Sequence, residues 1–237
     1  VKNIESLPVA GPRPEEAVGL IPMRQHDPPM TGRRLVTREK LLQAGLRLFS
    51  KSGVDGTTIQ EITSEAGVGF GSFYNHFKSK QDLADTLVEG YISDNRWIFE
   101  TPEMKALDIA EYVSASVRFT LERAAADPDW GMFFNRTSWL MIPGRRGIVH
   151  ALARDIRRGM RSGRFKVPDF DIALFSILGA NNAWLLAELA GEINREAGSR
   201  IAAFTLQILG LGADEARTIA RRPLPALMLK VLSSKKA

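Results

Sequence analysis

Apolar positions recur at helical spacing along most of the chain, and no β-branched run alternates with a period of two for long enough to make a sheet. From Thr37 onward, Leu41, Leu42, Gly45, Leu46, Leu48 and Phe49 trace one face of a first helix. Thr37 is its expected cap and Gly53 its stop. The stretch TTIQEITSEAG restarts the pattern. Thr58 and Glu61 have the spacing of a capping box, in which each side chain satisfies a free backbone N–H at the helix start. Ile59, Ile62 and Ala66 supply that helix's buried face, and Gly67 ends it. A third short helix enters at Gly69 and carries Phe73 and Phe77 one turn apart on its inner side. Ser79, with Asp82 three residues on, caps the next helix at Lys80. The second and third helices are joined by only about three residues, Gly67 to Gly69, which is helix-turn-helix geometry.

The rest reads as helix throughout. Boundaries fall at Thr101-Pro102, Asp127-Pro128, Pro143-Gly144, Pro168-Asp169 and Gly198. The segments IALFSILGANNAWLLAELAGEI and RIAAFTLQILGLG are apolar over much of their circumference, so both must be covered on several sides. About nine helices are expected in all. Residues 1 to about 33 hold six of the twelve prolines and no sustained periodicity, the signature of a disordered tail, with Met30 as a candidate start. The expected organisation is a tail over 1–33, a three-helix unit over 34–82 and a helical bundle over 83–237.

Composition narrows the chemistry. With no cysteine, the chain has no disulfide, thiolate nucleophile or cysteine zinc site. His26, His76 and His150 lie far apart, so no metal pair is readable, and no cofactor is expected. No uncharged apolar run approaches the roughly 20 residues of a membrane span, and the first residues do not have a signal peptide's pattern, which points to a cytoplasmic protein. The net charge of +5 favours anionic partners. Its distribution says more: Arg33, Arg34, Arg38, Lys40, Arg47, Lys51, Lys78 and Lys80 face four acidic residues over the same span.

The alternating Gly67, Gly69 and Gly71 are the sort of spacing that lets backbone approach phosphates, but a nucleotide loop needs a strand before it and a longer helix after it. Arg154, Arg157, Arg158 and Arg161 share one helical face and read as a solvated stripe opposite Leu152, Ile156 and Met160. Trp130, Phe133, Phe134 and Trp139 cluster around Asn135 and Arg136. Together with Asn181, Asn182 and Trp184 they are either core and interface residues or the lining of a pocket for a small molecule.

Residues 37–89, with A-G-L-R-L-F in the first helix, T-T-I-x-E-I at the second and A-G-V-x-x-G-x-F-Y-x-H-F-x-x-K at the close, resemble the DNA-binding domain of the tetracycline-repressor (TetR) family. The resemblance implies an all-α fold with an N-terminal helix-turn-helix domain and a C-terminal bundle for ligand binding and dimerisation. It also implies a homodimeric regulator, most often a repressor, on a palindromic double-stranded DNA operator, released when a small-molecule effector fills the bundle. The long helix from Lys80 is the expected carrier of that movement. At matching positions it implies that Thr58 contacts a phosphate, that Gly71 permits close approach to DNA, that Ser72 touches a base edge or phosphate, and that Tyr74, His76 and Lys80 hold the backbone. Relatives commonly carry serine or threonine at position 69 and lysine or arginine at 70, whereas this chain has Gly69 and Phe70. Direct readout then shifts toward Phe70, Ser72 and Asn75, with Phe70 suited to a thymine methyl. The competing expectation is a helical-bundle enzyme acting on a small hydrophobic substrate, for which no catalytic arrangement is readable from spacing.

Overall fold

The computed structural model of the chain describes residues 32–138, 147–193 and 197–234. Among them are twelve helices and no strand. The first four are α1 (Gly32–Ser52), α2 (Ile59–Glu65), α3 (Phe70–Tyr74) and α4 (Lys80–Phe99). They are followed by α5 (Pro102–Ala106), α6 (Ile109–Ala125), α7 (Pro128–Ser138), α8 (Gly147–Arg161), α9 (Phe170–Leu189) and α10 (Ala197–Ile208). Two short helices close the described chain, α11 (Ala213–Ala220) and α12 (Ala226–Ser234).

The N-terminal helices assemble as their pattern dictates. Leu41, Leu42, Phe49, Ile62, Phe73 and Leu83 are fully buried, and Phe77 nearly so. The capping box forms: Thr58 Oγ1 accepts from Glu61 N at 3.2 Å, and Glu61 Oε2 accepts from Thr58 N at 2.7 Å. Gly53 and Gly67 have φ of +74° and +65°, which a side chain would strain, so these positions stop α1 and open the turn to α3. Ser79 Oγ accepts from Asp82 N, and Asp82 Oδ2 accepts from Lys78 N, so α4 starts on a reciprocal pair of bonds. Gly45 lets α4 close on α1, since a Cβ there would sit 2.4 Å from Leu83 Cδ2.

Thr37 does not cap α1. The helix begins at Gly32, inside the stretch expected to be tail, and Thr37 Oγ1 donates to the Arg33 carbonyl within it. The extra turn is held by a tertiary bond from Arg34 Nη2 to the Asn75 carbonyl at 3.1 Å. Leu35 and Val36 stay exposed, so no apolar pattern marks this turn. Residues 1–31 lie outside the described residues.

Around α6 the remaining helices form the bundle, with α7, α8, α9, α10, α11 and α12 all against it. The expected caps hold at Thr101 and Asp169, and α7 begins at Pro128. Pro143-Gly144 lies outside the described residues. Gly198 is not a stop: it lies in the first turn of α10, where a Cβ would approach Glu122 Oε1 to 3.3 Å. The arginines of α8 face solvent as expected, yet Met160 is also exposed. Phe165 folds back onto Gly159, where a Cβ would lie 2.0 Å from its ring, and takes the buried place beside it. The only acid in that run, Asp155, is buried and paired with Arg154, and desolvation pushes its carboxyl above the usual range.

The first three helices meet the bundle mainly through α1 and α7. The Phe49 and Phe133 rings stack at 6.2 Å, and Ser50 Oγ donates to Asp129 Oδ1 at 3.0 Å. The sequence points to α4 as the link; α7, which carries the aromatic cluster, is a second one.

α9 is the one described helix long and apolar enough to cross a membrane by length and composition. One side of it, with Leu174, Ile177 and Leu185, is buried in the bundle. The opposite side exposes Ile172, Phe175 and Leu186, and neighbouring α10 exposes Phe204.

Candidate nucleic-acid interface

α3 is a five-residue helix held from below by Phe73 and Phe77, whose rings lie 5.7 Å apart in the core. Its other face is open. Phe70 and Tyr74, one turn apart, are each 54% exposed, and their rings meet edge to face at 5.8 Å. Gly71 has no heavy atom within 4 Å of where a Cβ would stand, so the backbone there can be approached from outside. Asn75 is exposed and ends the helix as its C-cap. Ser72 and His76 are half-buried.

The residues expected to hold phosphate divide into two kinds. Tyr74 is exposed, with its ring against those of Phe70 and Phe73. Thr58 is exposed but fully engaged: its Oγ1 donates to Glu61 Oε2 at 2.8 Å while accepting from Glu61 N. The Glu61 carboxyl, held by the Thr58 backbone N–H and hydroxyl, titrates below its ordinary value, so a carboxylate already occupies this corner. Lys80 Nζ donates to the carbonyls of Asp55 and Thr57 at 2.9 and 3.0 Å, tying the α1–α2 loop to the start of α4. One of its three donors remains for a phosphate.

His76 has a buried Nδ1 without a hydrogen-bond partner. Burial first, then the nearby charges of Arg34 and Arg38, hold its pKa below the ordinary 6.5, so the ring is neutral near pH 7. Arg38 is itself buried and lies over the Phe77 ring, 5.4 Å from its centroid. The bracing of α3 by Arg34 and Arg38 is not readable locally, because both reach across about forty residues of chain.

A capped α2, a turn through Gly67 at positive φ and a short α3 with an open outer face form a helix-turn-helix whose second helix is free to enter a major groove. Residues 41–87 match the model of bacterial regulatory proteins of the tetR family, and residues 108–222 match that of the tetracyclin repressor-like C-terminal domain. The chain belongs to the TetR family. It is a DNA-binding transcriptional regulator rather than an enzyme. Among solved structures it is similar to ligand-free RolR, with 30% identity, a TM-score of 0.59, and coverage of 78% of this chain and 97% of that one. RolR in complex with resorcinol gives 32% identity and a TM-score of 0.57, over 81% of this chain and 97% of RolR. The transcriptional repressor KstR2 of Rhodococcus jostii is 25% identical over 62% of this chain and 76% of its own. YerO, a regulator of Bacillus subtilis, is 49% identical over 55 residues, which span 23% of this chain and 19% of YerO.

The residues flagged for an effector separate in the TetR-family bundle. Trp130, Phe133 and Phe134 are buried against one another, with Trp130 5.3 Å from Phe133 and 6.1 Å from Phe134. Phe133 belongs to the contact with α1. Asn135 Nδ2 donates to the Asn182 carbonyl at 2.8 Å, bridging α7 to α9. Asn181 Oδ1 and Trp184 Nε1, one turn apart on α9, are buried without a hydrogen-bond partner. Trp139 lies outside the described residues. Two clefts are described. One of about 250 Å³ is bounded by Glu111, Ser114, Arg118 and Leu224, the other of about 450 Å³ by Ile172, Phe204 and Ile208, and neither includes these residues.

Proposed function

We propose that this regulator is a cytoplasmic homodimeric repressor that binds a palindromic operator and leaves it when a small molecule enters the bundle. The proposed division has the helix-turn-helix unit over 34–82 and the bundle over 83–237. One α3 per chain reads one half-site. The second comes from a partner docked on the exposed apolar side of α9 and α10, where Ile172, Phe175, Leu186 and Phe204 face solvent. That face carries the reading, since a two-fold pair of recognition helices is what a palindrome requires.

Thr58, Tyr74, His76 and Lys80 are the proposed phosphate contacts, with Gly71 as the point of close approach. Phe70, Ser72 and Asn75 are the proposed readers of base edges. For the effector, Asn181 and Trp184 offer an unmatched acceptor and donor, and Trp130, Phe133, Phe134, Asn135 and Trp139 are the other proposed contacts. RolR binds resorcinol, which supports a small hydroxyaromatic of the same kind here. Release follows if the effector favours a dimer whose two α3 helices no longer match successive major grooves. The α1–α7 contact offers a route for that change beside α4.

Selection of duplexes from a random library by the full chain is the test. An inverted repeat with half-site centres about 34–36 Å apart is expected, and resorcinol or a related phenol should weaken binding to it. A single asymmetric site would overturn the dimer reading. Affinity indifferent to a panel of such phenols would overturn the proposed effector class.

A further inference from the structure

Phe70 has no packing role that accounts for it. It is the first residue of α3 and is 54% exposed, although a phenylalanine left in water forgoes about 2 kcal/mol of burial. Its two chain neighbours are glycines. A Cβ at Gly71 would meet nothing within 4 Å, and one at Gly69 only Ser72 Oγ at 3.9 Å, so no flanking side chain shields the ring. Nor does the ring swing freely. Tyr74 meets it edge to face at 5.8 Å, and Phe73, fully buried, meets Tyr74 edge to face at 5.6 Å. Three rings thus run from the core outward and end in an exposed, braced apolar tip at the N-terminal end of the recognition helix.

The N-terminal residues of such a helix are the ones that reach base edges. In the major groove those edges offer hydrogen-bond donors and acceptors, and a single apolar feature, the C5-methyl group of thymine. A phenyl ring cannot satisfy the polar edges of guanine, adenine or cytosine. Seated against a thymine methyl, it buries apolar surface on both sides. We propose that Phe70 is a specificity-determining residue that reads the methyl group of one thymine in each half-site, and that Tyr74 is the positioning residue that aims it. This rests on the DNA-binding reading above.

The probe is the methyl group itself. In the duplex selected by the full chain, each thymine is replaced in turn by deoxyuracil, which removes that methyl and leaves the base-pairing edge intact. One position per half-site should lose affinity about four-fold, the worth of burying one methyl group. Phe70→Ala should bring the thymine-to-uracil ratio at that position to one, and its thermal unfolding should be unchanged because the side chain is exposed. Tyr74→Phe keeps the brace, so the ratio persists while affinity falls for every sequence alike. Tyr74→Ala removes the brace and lowers the ratio. Replacing cytosine by 5-methylcytosine at the same place in a weakened duplex should restore part of the affinity.

Uracil substitution without effect at every position overturns the proposal while leaving DNA binding intact. A methyl effect that survives in Phe70→Ala overturns it too, since another residue is then the reader. Uracil-insensitive binding with a sharp bend in the duplex would make Phe70 a wedge between base steps and not a reader of methyl groups. Failure to enrich any duplex overturns the DNA-binding reading itself, an outcome distinct from the others.

Discussion

α3 and the α9–α10 pair both hold large apolar side chains in water, and they do so differently. On α3 the exposed surface is one ring pair, Phe70 and Tyr74, set among glycine, serine and asparagine on a five-residue helix. On α9 and α10 it is four side chains spread over two helices, Ile172, Phe175, Leu186 and Phe204, of which Ile172 and Phe204 line a cleft of about 450 Å³. A lone braced ring suits a small apolar target in polar surroundings. A broad face suits another broad apolar face. The same exposure therefore reads as base recognition in one place and self-association in the other.

The largest effect should come from charging the broad face. Phe204→Glu places a carboxylate in the proposed dimer contact, and sedimentation should then give a monomer. Affinity for the full operator should fall by about a hundredfold or more, because the two half-sites no longer bind as one unit. Phe70→Glu should leave the dimer intact and alter only DNA binding. If Phe204→Glu stays dimeric and Phe70→Glu does not, the two regions have been assigned the wrong way round.

Lys80 separates bracing from phosphate contact. Lys80→Ala removes two charge-assisted hydrogen bonds to the carbonyls of Asp55 and Thr57, so the urea midpoint should drop by the equivalent of about 2 kcal/mol. A variant with an unchanged midpoint and uniformly weaker DNA binding would make the ammonium a phosphate ligand only. The capping box is a smaller version of the same question. Thr58→Val keeps the shape and removes the hydroxyl, which should cost about 1 kcal/mol of stability. A loss of DNA affinity beyond what that instability explains would show the hydroxyl also touching phosphate.

Much of the N-terminal unit is legible because its signals are local. A cap and its partner stand three residues apart at Thr58 and Glu61, the glycines at positive φ are Gly53 and Gly67, and Phe73 and Phe77 lie one turn apart. The misses share one cause. The first turn of α1 exists because Arg34 bonds the Asn75 carbonyl, and Met160 is exposed because Phe165 takes the buried place against Gly159. Asn75 is 41 residues from Arg34, and Phe165 lies past the end of α8, so a pattern followed within one helix includes neither. The bundle is harder to read for the same reason. An aromatic run such as Trp130 to Phe134 looks alike whether it lines a pocket or, as with Phe133 on Phe49, joins two parts of the fold. Lys80 shows the limit of a motif, which gives the residue type but not the carbonyls that already hold it.

The smallest expected effect is that of His76, and its sign follows from its surroundings. Burial, then Arg34 and Arg38, hold its folded pKa below 6.5, while an unfolded chain restores the ordinary value. Between those two values the unfolded state binds more protons. The contribution of His76 to stability is therefore fully present above about pH 6.5 and is lost as pH falls through that window toward the folded pKa. A DNA phosphate beside the ring acts in the opposite sense, since a nearby anion favours the imidazolium and raises the pKa in the complex. Binding then takes up a fraction of a proton, and DNA affinity should rise about two- to three-fold from pH 8 to pH 6, within the tenfold per unit that one linked proton allows. His76→Gln should remove this slope and retain the sequence preference. A slope of equal size in the variant would place His76 away from the phosphates, as a brace for α3 with the same surroundings and no contact to DNA.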